Sequence, residues 1–362
     1  MTWDLDRLLE IAVEQGASDL HLCAGHPPIL RLLGEMVPLH LQALGDEDLV
    51  GMLRRALPED LLVRFLETGD LDFAHAVEGL GRFRGNLFRQ ERGTGAVFRH
   101  VPSLSLSFQD LSLPAQVSRL VEYPDGLVLV TGPTGSGKST TLAALIDHLN
   151  RSRRIHILTI EDPIEHIHEN RLARITQREI GSSAVSFAEA LRLALREDPD
   201  VILVGELRDL ETIQMALQAA ETGVLVLATL HTNSASRSVD RLVNVFPSQD
   251  QEVVRSVLAG VLRGILAQQL LPRRSGGRVP AIELLFWTQG LPAMIRDGKP
   301  HLIETAIKTG RRLGMVAMDD SLLDLVRRRE VEPRDAMDRA LDKGMFRKVL
   351  AAELGIRDLP GG

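Results

Sequence analysis

Between an apolar run at 127–130 and a helix-periodic stretch over 138–150 stands Gly132-Pro133-Thr134-Gly135-Ser136-Gly137-Lys138-Ser139. It fits G-x-x-x-x-G-K-[ST], directly after a strand and at the head of a helix. Glycines in such a loop let successive backbone N–H groups curl around a phosphate without a Cβ clash. The helix that follows adds its unpaired N–H groups, equivalent to about half a positive charge. Lys138 is placed to reach the β- and γ-phosphates, and Ser139 to offer its hydroxyl to Mg2+. Residues 132–139, with Thr140 beside them, are therefore expected to bind a nucleotide.

The surroundings agree with that demand. Apolar runs at 127–130, 155–160, 201–204 and 224–229 are of the kind buried on both faces of a sheet. Helical stretches at 138–150, 186–196 and 211–222 alternate with them, and Ser186-Phe187-Ala188-Glu189 has the capping-box form. Alternation of this kind predicts a mainly parallel α/β sheet. Beyond Ala235 the pattern reads as largely helical to about Leu350. Residues 1–101 read as a smaller α+β unit. It has a helix through Leu5, Leu8, Leu9, Ala12 and Val13, a second helix over 46–68, and strands near 19–23, 29–33, 72–77, 81–89 and 96–101. The Ser-rich stretch from Pro102 to Ser107 is the expected hinge, within a linker over 102–111. An ATPase-type unit over 112–350 and a tail over 351–362 complete the expected division. Two domains are the natural expectation for 362 residues.

Composition removes several function classes. One cysteine, Cys23, permits neither an intramolecular disulfide nor a four-cysteine zinc site, and fits a reducing compartment. With 42 Lys+Arg against 49 Asp+Glu the net charge is -7, and general nucleic-acid binding, which wants clustered positive charge, is not expected. The acidic N-terminus lacks a signal-peptide layout. No run of about 18 uncharged apolar residues is present to span a membrane.

Hydrolysis needs metal placement and a group to orient water. Two acidic clusters stand at the ends of expected strands, where ligands of open α/β sheets bind. In Thr159-Ile160-Glu161-Asp162-Pro163-Ile164-Glu165, Pro163 favours a turn after the strand, and Glu161, Asp162 and Glu165 are each candidates to polarise water. In Val201-Ile202-Leu203-Val204-Gly205-Glu206, an apolar run delivers Glu206 towards the metal side of the loop. His231, in Thr229-Leu230-His231-Thr232, follows the last expected core strand and is a candidate γ-phosphate sensor, although a histidine in such a place is as often structural.

The stretch Leu195-Arg196-Glu197-Asp198-Pro199-Asp200-Val201-Ile202-Leu203-Val204-Gly205-Glu206-Leu207-Arg208-Asp209 resembles the signature of the secretion-type hexameric ATPases that power type II secretion and type IV pili. Gly16-Ala17-Ser18-Asp19-Leu20-His21-Leu22 and Arg82-Phe83-Arg84 resemble the N-terminal part of the pilus retraction ATPases (PilT/PilU-like). The region from Gly223 to Pro247 resembles their histidine box, and Gly314 to Leu325 their C-terminal region. The short N-terminal part and the single cysteine set the chain apart from the assembly branch. The resemblance implies a RecA-like P-loop ATPase domain, a smaller α+β, PAS-like N-terminal domain and a ring of six. It implies an Mg2+-dependent ATPase that drives pilus retraction and twitching motility. Glu165 then matches the catalytic glutamate, Glu206 the glutamate near Mg2+ together with Ser139, and His231 the second histidine of the box. Arg84 and Arg99 are the best matches for arginines that reach the nucleotide, with Arg82 and Arg92 as neighbours. The implied partners are an inner-membrane platform protein and the pilus machinery, with the chain peripheral on the cytoplasmic face.

Two departures from the family pattern stand out. Val224 occupies a place that is usually histidine, and a valine donates no hydrogen bond. In Gly290-Leu291-Pro292-Ala293-Met294-Ile295-Arg296-Asp297, proline and alanine replace the first Arg-Asn pair of the retraction motif, and Pro292 is expected to disturb the helix start. These departures keep an accessory, PilU-like form in view. Two further alternatives are a RecA-like DNA motor, with Arg327-Arg328-Arg329 as its basic patch, and a nucleotide-binding regulator that does not hydrolyse.

Overall fold

The computed structural model of the chain describes residues 4–32, 34–101, 107–181 and 183–355. Contacts divide the chain into two units: Met1–Leu104 with Pro163–His166, and Ser105–Asp162 with Ile167–Gly362. Most of the expected hinge, residues 102–106, lies outside the described residues, as do residues 356–362 of the tail.

The first unit runs α1 (Leu5–Glu14), β1 (Asp19–Cys23), β2 (Ile29–Leu32), β3 (Glu35–Pro38), α2 (Asp46–Ala56), α3 (Glu59–Thr68), β4 (Asp70–Val77), β5 (Gly81–Gln90) and β6 (Gly93–Val101). Its strands form one antiparallel sheet in the order β3-β2-β1-β6-β5-β4. Strand alternation turns Leu20, Leu22, Phe83, Leu87 and Phe98 to one face. There they are buried with Leu5 and Leu9 of α1, Leu49 and Met52 of α2, and Phe65 of α3. Where one helix is expected over 46–68, the chain forms two. Pro58 supplies no N–H and disfavours helix at the residue before it, and Leu57 is extended (φ -110°, ψ 149°). The short strand β3, exposed throughout, has too little apolar pattern to be foreseen.

The second unit runs β7 (Gly126–Thr131), α4 (Lys138–Ser152), β8 (His156–Glu161), β9 (Arg174–Glu179), α5 (Phe187–Ala194), β10 (Val201–Val204), α6 (Leu210–Glu221), β11 (Leu225–Leu230), α7 (Ala235–Asn244), α8 (Gln251–Val261), β12 (Leu262–Pro272) and β13 (Arg278–Phe286). Its sheet has the order β13-β12-β7-β11-β10-β8-β9, parallel except for β13. All residues of β7, β10 and β11 are buried, as expected of strands covered on both faces. Ser186 caps α5 by accepting the Glu189 N–H at 3.2 Å.

The expectation of a largely helical chain beyond Ala235 is overturned by β12 and β13. Nearly every residue of β12 is buried. Its apolar run therefore lacks the alternation of a half-buried strand and matches a buried helix equally well. The Gly276-Gly277 turn that closes the hairpin separates the two readings. Helices follow: α9 (Leu291–Arg296), α10 (His301–Thr309), α11 (Met318–Arg327), α12 (Pro333–Arg339) and α13 (Lys343–Leu354). Met318 and Leu322 of α11, Met337 of α12, and Phe346 and Leu350 of α13 share a second apolar cluster of this unit with Ala267 and Leu271 of β12. Pro292 sits in the first turn of α9 and leaves the helix start in place, because an N–H there has no intrahelical acceptor to lose. Among the described residues no helix is long and apolar enough to cross a membrane.

Candidate nucleotide site

Strand order builds the site. Register pairs Thr131 of β7 with Leu230 of β11, and Val204 of β10 with Ala228 of β11. The loop at 132–139, His231 and Glu206 therefore leave three adjacent strands at their carboxyl ends, all within about 10 Å laterally. The ends are stitched together. The Gly205 N–H donates to Ile160 O at 2.8 Å, the Leu207 N–H to Thr229 O at 3.0 Å, and Thr229 Oγ1 to Gly205 O at 2.5 Å.

The loop has the backbone that an anion cradle needs. Gly132 (φ 148°) and Gly137 (φ 86°) lie in a region closed to most side chains, and a Cβ on Gly132 would stand 2.2 Å from the Gln268 carbonyl oxygen. Lys138, 9% exposed, donates through Nζ to Gly132 O (2.8 Å) and Pro133 O (3.0 Å), which folds its charge over the loop. Thr134, Gly135 and Ser139 are exposed, Thr140 is half-buried, and the buried Ser136 Oγ has no hydrogen-bond partner among the described residues. An orphaned hydroxyl, glycine-only positions and a lysine at the head of α4 suit a phosphate chain. Magnesium takes few protein ligands and completes its shell with phosphate oxygens and water. The open Ser139 hydroxyl and the Glu206 carboxylate fit that pattern.

Glu206 is held at both carboxylate oxygens. His231 Nε2 lies 3.0 Å from one carboxylate oxygen and Arg208 Nη2 lies 2.8 Å from the other. Burial pushes the Glu206 carboxyl up, but the hydrogen bonds from Arg208 and His231 and the charges behind them outweigh it, and the group sits below the usual glutamate range. The Arg208 guanidinium is raised in turn by Glu206, with a further contribution from Asp162. Glu161, at the end of β8, accepts from Thr159 Oγ1 (2.6 Å) and Gln177 Nε2 (3.2 Å).

The remaining candidates belong to the first unit. Glu165 is exposed, in the Pro163–His166 segment that groups with that unit. Register sets Arg31, Asp19, Arg99 and Arg84 in one row across β2, β1, β6 and β5, on the face opposite the core. Asp19, 4% exposed, accepts from Nε of the exposed Arg99 at 2.8 Å. Burial pushes the Asp19 carboxyl up, but hydrogen bonds from Ser18 and Arg99 bring it below its ordinary value. Arg82 is two residues along β5 on the same face. Arg92 stands apart, in the β5–β6 turn, with Nη1 3.3 Å from His26 Nε2.

Two groups at the site were not foreseen. Gln268 of β12 touches the loop, and the spacing of motifs offers no sign of it. Arg208 lies in the quoted signature, but its pairing with Glu206 needs the turn after β10. Val224, where the resemblance expects a histidine, lies away from the loop end of its strand. It is buried just before β11, at the amino ends of the strands. Six residue steps, roughly 20 Å, take the chain from Val224 to Leu230 at the loop side of the sheet.

The Type II/IV secretion system protein family model matches residues 85–326. The type IV pilus retractation ATPase PilT of Pseudomonas aeruginosa is 46% identical over 337 residues, covering 93% of this chain and 98% of that protein. The type IV pilus ATPase PilU of the same organism is 37% identical over 338 residues, covering 93% and 88%. A crystal structure of the pilus retraction motor PilT with bound ADP superposes with a TM-score of 0.89 at 42% identity, covering 94% of this chain and 98% of that one.

Proposed function

The chain belongs to the type II/IV secretion system protein family, in its pilus-retraction ATPase branch, and from that premise we propose that it is an ATP-hydrolysing motor for type IV pilus retraction and twitching motility. The observation that carries this reading is the convergence of a lysine-bearing phosphate loop with the Glu206–His231 pair at the carboxyl ends of β7, β10 and β11. Full-length similarity to PilT supports the retraction role, and the lower identity to PilU makes the accessory form the second choice.

In this reading Lys138 and the amides of 132–140 bind the ATP phosphates. Ser139 and Glu206 would hold Mg2+, which neutralises phosphate charge when bound. Glu165 orients water, and His231, through its contact with Glu206, reports the state of the γ-phosphate. Arg84 and Arg99 supply positive charge to the phosphoryl group, a contribution on the order of 10³–10⁵ in rate for such arginines. The working assembly is a homo-hexamer, peripheral on the cytoplasmic face of the inner membrane, acting through a platform protein on the pilus. A DNA motor is disfavoured. Arg327 pairs with Glu353 and Arg328 with Asp324, so two of the three arginines in the run are already matched by acids.

Phosphate release with Mg-ATP and a mass measurement, both on the purified full chain, test chemistry and ring together. A mass six times the protomer, turnover, and restored twitching in a strain lacking its own retraction ATPase are expected. A monomer without turnover would defeat the proposal, and turnover that rises only with DNA would favour the rival.

A further inference from the structure

The parallel register pairs Ala267 of β12 with Thr131 of β7, so the next residue, Gln268, stands beside the first residue of the phosphate loop. Gln268 is 3% exposed, and both ends of its amide are engaged. Nε2 donates to Ser136 O at 2.6 Å, and Oε1 accepts from Thr141 Oγ1 of α4 at 2.8 Å. The Ser136 carbonyl can only accept, which fixes which end of the amide faces it. A Cβ on Gly137 would meet Gln268 Nε2 at 2.8 Å, so this amide fills the space that the glycine leaves. In a trans peptide C=O and N–H point in opposite directions. A Ser136 carbonyl held towards β12 therefore turns the Gly137 N–H away from β12.

The geometry points to Gln268 as a positioning residue for nucleotide binding, one that ties the 136–137 peptide of the loop to α4 and β12 so that the loop amides stay aimed at phosphate. The neighbours of Gln268 in β12, Ala267 and Leu271, pack with α11, α12 and α13. The brace thus joins the loop to the strand that carries the C-terminal helices. This inference rests on residues 132–140 being the nucleotide site.

The test is calorimetric ADP affinity of the full chain, read beside the melting temperature without nucleotide. Gln268→Met keeps the shape and removes both hydrogen bonds, and should weaken ADP by about tenfold. Thr141→Val removes one partner and should weaken it by about threefold or more, while Thr141→Ser restores wild-type affinity. Thr141→Val leaves the buried Gln268 Oε1 without a donor and should lower the nucleotide-free melting temperature by a few degrees. Affinity is therefore read well below that transition, where both variants are fully folded and a merely structural role would leave it unchanged. If Gln268→Met does not fold, the Thr141 pair decides. Wild-type affinity in Thr141→Val and in folded Gln268→Met, with affinity lost in Lys138→Ala, would overturn the brace alone. Wild-type affinity in Lys138→Ala would overturn the site itself.

Discussion

His231 Nε2 lies 3.0 Å from one oxygen of the Glu206 carboxylate, across adjacent strand ends, while Arg208 occupies the other oxygen. An acid held this way contributes stability in its ionised form. Its folded pKa is below the ordinary 4.5, so the contribution is complete above that value and is lost as pH falls through the lower, folded one. Denaturant titrations should find Glu206→Gln less stable than wild type near neutrality, by about 1 kcal/mol, with the gap closing as the medium is acidified below pH 4.5. A gap that persists unchanged in acid would mean that the ionised pair is not its source.

In the proposed site Ser139 would serve the metal and the loop amides the phosphate, so one substitution tests the two apart. The hydroxyl is exposed in the first turn of α4, whereas the groups proposed to meet phosphate are backbone amides. Ser139→Ala should therefore leave ADP affinity in EDTA near wild type and raise the Mg2+ concentration needed for half-maximal turnover by about 10–100-fold. Magnesium titrations of phosphate release at saturating ATP read this directly.

The glycines of the loop should not respond alike. At Gly132 an added methyl group collides with the Gln268 carbonyl oxygen, a backbone atom in the interior of the sheet. Gly132→Ala should cost about 3 kcal/mol or more, through overlap and strain together. Gly135 has φ 77° and open space around its Cβ position, so Gly135→Ala pays only the left-handed backbone, about 1–2 kcal/mol. Urea denaturation of the two variants should rank them in that order, and equal losses would contradict the packing described.

The phosphate loop and the central strands were legible because their signals are local. Glycine spacing, a lysine at a helix head, and short apolar runs with nothing polar in them all lie within a few residues of one another. Gln268 was not legible. It meets Ser136 across 132 positions of chain, inside a strand whose burial erased the alternation that marks strands. Pro58 could have been read, since proline in mid-pattern ends a helix, but the apolar repeat on both sides masked it. The row formed by Asp19, Arg99 and Arg84 depends on strand pairing, which no single segment reveals, and there the family resemblance supplied the arginines while the register supplied their anchor. Glu283 is the opposite case. Its residue type suggests a surface, and it lies in the core.

Glu283 of β13, 3% exposed, accepts the Ala235 N–H at the start of α7 at 2.7 Å, and also takes a backbone hydrogen bond from Met318 at the start of α11. Burial pushes its carboxyl up to about 7, the two backbone donors pull the other way, and Glu304 and Asp319 add to the rise. A carboxyl raised in the folded state binds its proton more tightly there than in the unfolded chain. Between pH 4.5 and about 7 the folded state therefore holds more protons, and stability falls as pH rises through that window and stays reduced above it. The fall should be on the order of 1–3 kcal/mol. Glu283→Gln has no proton to lose, so its stability should run flatter and gain on wild type as pH rises between 4.5 and about 7, with the gain constant above that. Parallel profiles for the two proteins would place the buried proton elsewhere.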